Sequence, residues 1–299
     1  MSSFQNKISM DFCVRGLGKN QDLAFTGSSK LKGDKFDYGI ILDGHGSHQF
    51  IDFMKRMEWL YIVSDEDPWE TLNSILMENN FLEGGSTIII MRAFINRIEV
   101  ISVGDSSIII HKNGVLSYMN EKHTHTNPKE IERLKHLSSY RGIKKSKDYI
   151  PQIRNSTEMQ AKRGHYNYFG YDHMQLAMTQ SLGHKNITGY EPERHIEYYE
   201  EMDTIHILMG SDGLFDMLLL KKYINTIPEH TPTDLEDIEK DNQDILEMTA
   251  TEIVEKAERR WKKEDWSYHW HIKDYSQIMT PISFMGMYDD ISAITWKKY

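Results

Sequence analysis

Cysteine is nearly missing: Cys13 is the only one in 299 residues. One thiol can close no intrachain disulfide and build no cysteine zinc site, so nothing argues for secretion. It reads as a small buried residue. Long apolar runs are missing too. None approaches the roughly 20 residues that span a bilayer, and Met1 to Met10 carries no signal-peptide core. Positive charge is in deficit, with 35 Lys+Arg against 45 Asp+Glu and a net charge of −10. That balance weighs against a nucleic-acid or anionic-membrane binder, which needs a positive field. Internal repeats and low-complexity tracts are also absent. What remains is the profile of a soluble, cytoplasmic protein. Its 39% hydrophobic and 27% charged residues are globular proportions, in a chain long enough to bury a core.

Short β-branched runs supply the strands: Ile40 to Leu42, Thr87 to Met91, Ile98 to Val103, Ser107 to His111 and Ile205 to Met209. Asn113-Gly114 is a hairpin turn, so Ser107–His111 should pair antiparallel with Val115–Tyr118. Phe50, Phe53, Met54 and Met57 form a helical stripe. Asp67-Pro68-Trp69-Glu70 and Asn127-Pro128-Lys129-Glu130 each place an N-cap and an N1 proline at a helix start. Leu246, Ala250, Ile253, Ala257 and Trp261 line one face of a later helix. Two stretches lack such periodicity. The segment 138–171 is polar and basic, with Arg141, Lys144, Lys145, Lys147 and Arg154; it reads as a solvated loop or a docking surface for acidic partners. The segment 264–288 is aromatic. Residues 1–299 read as one domain with these two excursions as loops or flaps.

Three acidic patches follow or precede apolar runs: Asp43-Gly44-His45-Gly46 after Tyr38 to Leu42, Ser211-Asp212-Gly213 after Ile205 to Met209, and Asp289-Asp290 before Ile291 to Trp296. A carboxylate at the edge of a buried strand is costly unless its charge is compensated. One sheet could bring all three together, and a hard divalent cation would compensate them. Asp43 can bridge two cations, and a glycine beside it lets a carbonyl approach. His45 can carry a proton near neutrality. That set suits metal-assisted hydrolysis of a phosphoester. Each aspartate taken alone could equally be a turn residue. The pairs His123/His125 and His269/His271 lack partner cysteines and do not read as zinc sites.

Seven motifs in order, Asn20-Gln21-Asp22, Leu42 to Gly46, Gly85-Ser86-Thr87, Val103-Gly104-Asp105-Ser106, Leu176-Ala177-Met178-Thr179, Gly210 to Asp216 and Asp289 to Ser292, resemble the signatures of the protein phosphatase 2C family. The resemblance implies an α+β fold, a β-sandwich of two antiparallel sheets flanked by helices in four layers (αββα). It implies a Mg²⁺ or Mn²⁺ pair and dephosphorylation of phosphoserine and phosphothreonine in proteins, by a monomer. By position, Asp43 would bridge two metals and the Gly44 carbonyl would bind one of them. Asp212 and Asp289 would bind the other, Asp22 would support the pair, and His45 would be the general acid. Gly104-Asp105 reads as a structural turn.

The chain departs from the family pattern at several positions. Leu17 stands where the family has a phosphate-binding arginine, leaving Arg15 and Lys19 as candidates to hold substrate phosphate. Lys122 stands where an acidic ligand holds a third, weak metal, so that site is expected to be lost or altered. Gln180 replaces a frequent arginine, and Gly183-His184 replaces Gly-Asp; both read as structural. An active phosphatase is the leading reading. The rivals are a catalytically weak or inactive scaffold that binds a partner protein, and a metal-dependent hydrolase of another ester.

Overall fold

Unbroken apolar runs such as Ile88-Ile89-Ile90-Met91 require a strand covered on both faces, and the fold provides that cover. In this computed structural model, the described residues are 7–80, 82–124, 127–155, 158–172, 174–218, 244–262, 267–272, 275–279 and 288–299. Two five-stranded sheets dominate. The first runs in the order Ile8–Arg15, Ile291–Lys298, Ile205–Gly210, Ser107–Lys112, Val115–Met119. The second runs Glu193–Tyr198, Arg97–Val103, Ile88–Phe94, Asp34–Leu42, Leu23–Leu31. Every pairing in both is antiparallel.

Side-chain alternation sorts each strand between two cores. Between the sheets lie Ile41, Ile89, Met91, Val100, Ile108, Ile110, Ile207, Met209, Ile294 and Trp296. The opposite face of the second sheet, with Ile40, Leu42, Ile88, Ile90 and Val103, packs on Phe50, Met54, Trp59, Trp69 and Leu72 from helices His48–Lys55, Trp59–Val63 and Pro68–Glu78. The opposite face of the first sheet, with Ile109, Leu208, Ile291 and Ala293, packs on Ala250, Ile253, Ala257 and Trp261 of helix Ala250–Trp261. Helices, sheet, sheet and helix make the four layers expected of the αββα sandwich. Cys13 is half-buried at the edge of that last core rather than fully buried.

Local signals account for the boundaries. Asp67 Oδ1 accepts from the amides of Trp69 (3.0 Å) and Glu70 (3.3 Å), and Asn127 Oδ1 accepts from Lys129 at 3.0 Å; both are N-caps ahead of proline. Asn113 (φ 56°) and Gly114 (φ 79°) turn the hairpin, as a two-residue turn with both φ positive requires.

The excursions differ from the sequence expectation. Segment 138–171 is not a loop: Tyr140–Asn155 and Glu158–Tyr171 form a long antiparallel hairpin. Ser267–Ile272 runs parallel to Glu158–Ala161, and Tyr275–Met279 pairs with it in turn. Two segments far apart in sequence thus share one small sheet. Apolar periodicity was too weak to reveal this, because the pairing is nonlocal. Arg141 is ion-paired with Asp172; the side chains of Lys144, Lys145, Lys147, Arg154, His269 and His271, and residue His125, lie outside the described residues. Among the described residues no helix is long and apolar enough to cross a membrane.

Candidate active site and metal centre

The strands of both sheets end together at one edge of the sandwich, and the acidic motifs sit on those ends. Asp43 leaves strand Asp34–Leu42; its carbonyl accepts from Thr87 N at 2.9 Å and its amide donates to Thr87 Oγ1 at 3.3 Å. Thr87 in turn meets Ser106 Oγ at 2.6 Å, tying in the turn that carries Asp105. Asp212 follows strand Ile205–Gly210 and opens the short helix Asp212–Phe215. Trp261 Nε1 donates to the Gly213 carbonyl at 2.8 Å, fixing that turn from the helix behind it. Ser211 is bound to Ser292 through N→O (3.2 Å) and accepts from Ser292 N at Oγ (3.0 Å), which holds the approaches to Asp212 and Asp289 side by side.

Asp289 and Asp290 have separate jobs. Asp289 faces the acidic group and reaches solvent. Asp290 is buried and accepts from the amides of Gly18 and Gln21, both at 2.7 Å. This clamp delivers Asp22, which is 5% exposed.

Six carboxylates share the edge: Asp22, Asp43, Asp105, Asp212, Asp216 and Asp289. Loss of hydration raises Asp43 well above the carboxylate range, reinforced by Asp212, Asp22 and Asp289. Burial and then Asp212 push Asp22 to about 7, against the nearby hydroxyls of Ser211 and Ser292. The same two causes, in the same order, put Asp105 and Asp216 at about 7 and Asp289 at about 8. Asp216 and Asp289 still reach solvent, so like-charge repulsion carries more of their shift. Lys122 opposes the rise at both Asp105 and Asp216.

Asp22 Oδ2 and Asp105 Oδ1 are buried without a hydrogen-bond partner. An unpartnered buried oxygen is costly, and a hard cation satisfies it. An all-oxygen, charge-crowded group with such orphans fits Mg²⁺ or Mn²⁺ in donor chemistry. Among the described residues, no three His, Cys, Asp or Glu side chains converge closely enough to chelate one ion. The fit is therefore one of donor type and charge.

Of the other sequence candidates, Gly44 and His45 lie on a two-residue strand paired with Gly85–Ser86, itself paired with Leu182–Gly183. His45 Nε2 lies 2.7 Å from Ser181 Oγ and Nδ1 lies 3.1 Å from His184 Nε2. Burial, His184 and Lys19 push His45 down to about 3. Lys19 is thus in electrostatic reach of His45. Arg15 is engaged elsewhere, pairing with Glu258 at 3.0 Å, and Leu17 packs against the apolar core beside it. Gln180 is structural: its side chain donates to Glu130 at 2.8 Å and accepts from Glu191 N at 2.8 Å. His123 clasps the Gly104 backbone, accepting from its amide at 2.9 Å and donating its own amide to the Gly104 carbonyl at 2.9 Å.

Three residues in this neighbourhood escaped the sequence reading. Asp105 was expected to serve only its turn, Asp216 was quoted only as the end of a motif, and His184 was expected to have no part in the site. For Asp216, spacing four residues after Asp212 on a helical turn was the available signal. For His184 no local signal existed.

A family model, Protein phosphatase 2C, matches residues 26–260. No curated protein sequence matches the chain. Among solved structures, it is similar to a C. elegans sex determining protein (14% identity, 98% of this chain and 64% of that one, TM-score 0.54). It also resembles a Toxoplasma gondii serine-threonine phosphatase 2C (13%, 100% and 96%, TM-score 0.51). A third is the Mycobacterium tuberculosis serine/threonine phosphatase PstP/Ppp (15%, 97% and 97%, TM-score 0.50). At such identities these likenesses establish the fold, while the family model spans most of the sequence and five of the seven motifs, leaving those of Asp22 and Asp289 outside it: the chain belongs to the protein phosphatase 2C family.

Proposed function

We propose that this protein is a divalent-metal-dependent phosphatase that hydrolyses phosphoserine and phosphothreonine in proteins. The observation that carries the reading is the gathering of six carboxylates at one sandwich edge, each shifted carboxylate feeling Asp212. Asp43, the Gly44 carbonyl, Asp212 and Asp289, supported by Asp22, would hold Mg²⁺ or Mn²⁺. When bound, such ions neutralise the carboxylates, polarise a phosphoryl group and lower the pKa of water.

The chain's own groups do the rest. Lys19 adds positive charge for an incoming phosphate, as a point charge rather than a bidentate clamp. His45 is the candidate to protonate the seryl or threonyl oxygen as the P–O ester bond breaks. It is neutral in the arrangement described; a phosphate dianion beside it favours its protonated form. A substrate-dependent acid of this kind stays silent until the site is filled.

The test is phosphate release from a phosphothreonine peptide with and without Mn²⁺, comparing wild type with Asp212→Asn. Metal-dependent release lost in the variant supports the reading. Folded, Mn²⁺-loaded wild type that releases nothing overturns it. The scaffold reading would then lead, favoured by Leu17 in the core and by both His45 nitrogens being bound within the protein.

A further inference from the structure

His184 is held against His45 by a backbone that an L-residue rarely adopts. Gly183 (φ 78°, ψ −145°) occupies a conformation almost reserved for glycine. Three non-glycine residues follow in the left-handed region: His184 (φ 48°), Lys185 (57°) and Asn186 (56°). Asn tolerates that region and Lys does not, and a run of three consecutive residues there persists only where its surroundings impose it. Those surroundings are specific. His184 N donates to Gly84 O at 2.8 Å, while Tyr190 Oη accepts from Gly183 N (3.0 Å) and donates to Gly183 O (3.1 Å). The imidazole is buried, lying so close to Gly85 that a Cβ there would stand 2.4 Å from Nε2. The two rings stack with centroids 4.8 Å apart and planes 23° apart.

Hydrogen bonding around Ser181 offers its proton two carbonyl acceptors besides His45. A serine hydroxyl has one proton to give. The carbonyls of Leu182 (2.9 Å) and Ser86 (3.3 Å) can only accept it. With that proton given to one of these two carbonyls, Ser181 Oγ accepts from His45 Nε2 at 2.7 Å, and His45 Nδ1 then bears a lone pair and needs a donor. His184 Nε2, at 3.1 Å, is that donor. We propose that His184 is a positioning residue that donates Nε2–H to His45 Nδ1 and so locks His45 in its Nε2–H tautomer and ring orientation. The tautomer set at one nitrogen by the bond at the other is a general property of histidine. The consequence for catalysis rests on the phosphatase reading above; the tautomer itself does not.

Two-bond ¹H–¹⁵N NMR on ¹⁵N-histidine-labelled protein, with His45 assigned through His45→Gln, reads the tautomer directly. His184→Asn suits the left-handed backbone but is too short to reach His45; His184→Gln restores an N–H donor at longer reach. The Nε2–H tautomer is expected in wild type, a mixture in His184→Asn, and return of the Nε2–H form in His184→Gln. An Nδ1–H tautomer in wild type, or an unchanged tautomer in His184→Asn, overturns the proposal. Should wild type show no Mn²⁺-dependent turnover, the phosphatase reading falls and the tautomer spectra still decide this one.

Discussion

The aspartate side and the histidine side of the site are built by different means. Asp43, Asp212 and Asp289 sit on the ends of paired strands, where the sandwich core fixes the backbone. His45 sits on a two-residue strand, Ser181 directly before another and His184 in a left-handed turn, fixed by single hydrogen bonds and close glycine contacts. The first construction is cheap in conformational strain and costly in electrostatics, since six like charges are gathered. The second has little charge and stores its cost in the backbone. Changes on the aspartate side should therefore read out in metal and pH dependence, and changes on the histidine side in geometry and strain.

The largest effect is expected at Asp212, which appears among the neighbours raising Asp22, Asp43, Asp105, Asp216 and Asp289. Asp212→Asn should abolish Mn²⁺-dependent phosphate release, by at least about 10³-fold. The same change removes the common repulsive charge, so the metal-free variant should melt higher than metal-free wild type, by about 2–4 °C. A variant that loses activity and also melts lower would show that Asp212 supports the fold rather than burdening it.

The next effect is one of pH. Asp22, Asp105 and Asp216 at about 7 and Asp289 at about 8 bind more protons folded than unfolded, above the ordinary carboxylate value. Stability of the metal-free protein therefore falls as pH rises through 7 to 8. Histidines act in the other direction at lower pH. His45 is held at about 3 and His111, His123 and His184 at about 4, so the unfolded chain takes up their protons first below 6.5. The EDTA-treated protein should be several degrees more stable at pH 6.5 than at 8.5, on the order of 3 °C or more. Mn²⁺ should raise the melting temperature more at pH 8.5. Equal melting temperatures at the two pH values without metal would contradict the crowding of charge at this edge.

How much of this was legible in the sequence follows the same division. Strand ends were readable because Tyr38 to Leu42 and Ile205 to Met209 announce a buried strand and the aspartate follows directly. Caps at Asp67 and Asn127 and the Asn113-Gly114 turn are local chemistry, and they formed as read. Asp105 was missed because the same Gly-Asp is a good turn, and only tertiary contact shows its second role. His184 was missed because its partner is 139 residues away and its backbone conformation has no composition signal. The excursion sheet escaped for a related reason: Glu158–Ala161 pairs with Ser267–Trp270 across more than a hundred residues.

A smaller change should appear at Lys122, whose charge opposes the rise of Asp105 and Asp216. Lys122→Asp replaces an ammonium with a carboxylate beside two others, which favours binding of a cation there. Calorimetric titration with Mn²⁺ should show two sites in wild type and one further, weaker site in the variant. Unchanged stoichiometry would mean that the lysine does not stand in for a cation.

The smallest effect belongs to the histidine side. Lys185 has φ 57° and an exposed side chain in the middle of the left-handed run. Holding a non-glycine residue there costs roughly 1–2 kcal/mol, and glycine removes that cost. Glycine also loosens the unfolded chain, which returns about 0.4–1 kcal/mol of the gain. Lys185→Gly should therefore stabilise the protein by about 0.5–1 kcal/mol net, read as a small rise in the urea midpoint at constant slope. A fall in the midpoint would mean that the turn is not strained at Lys185.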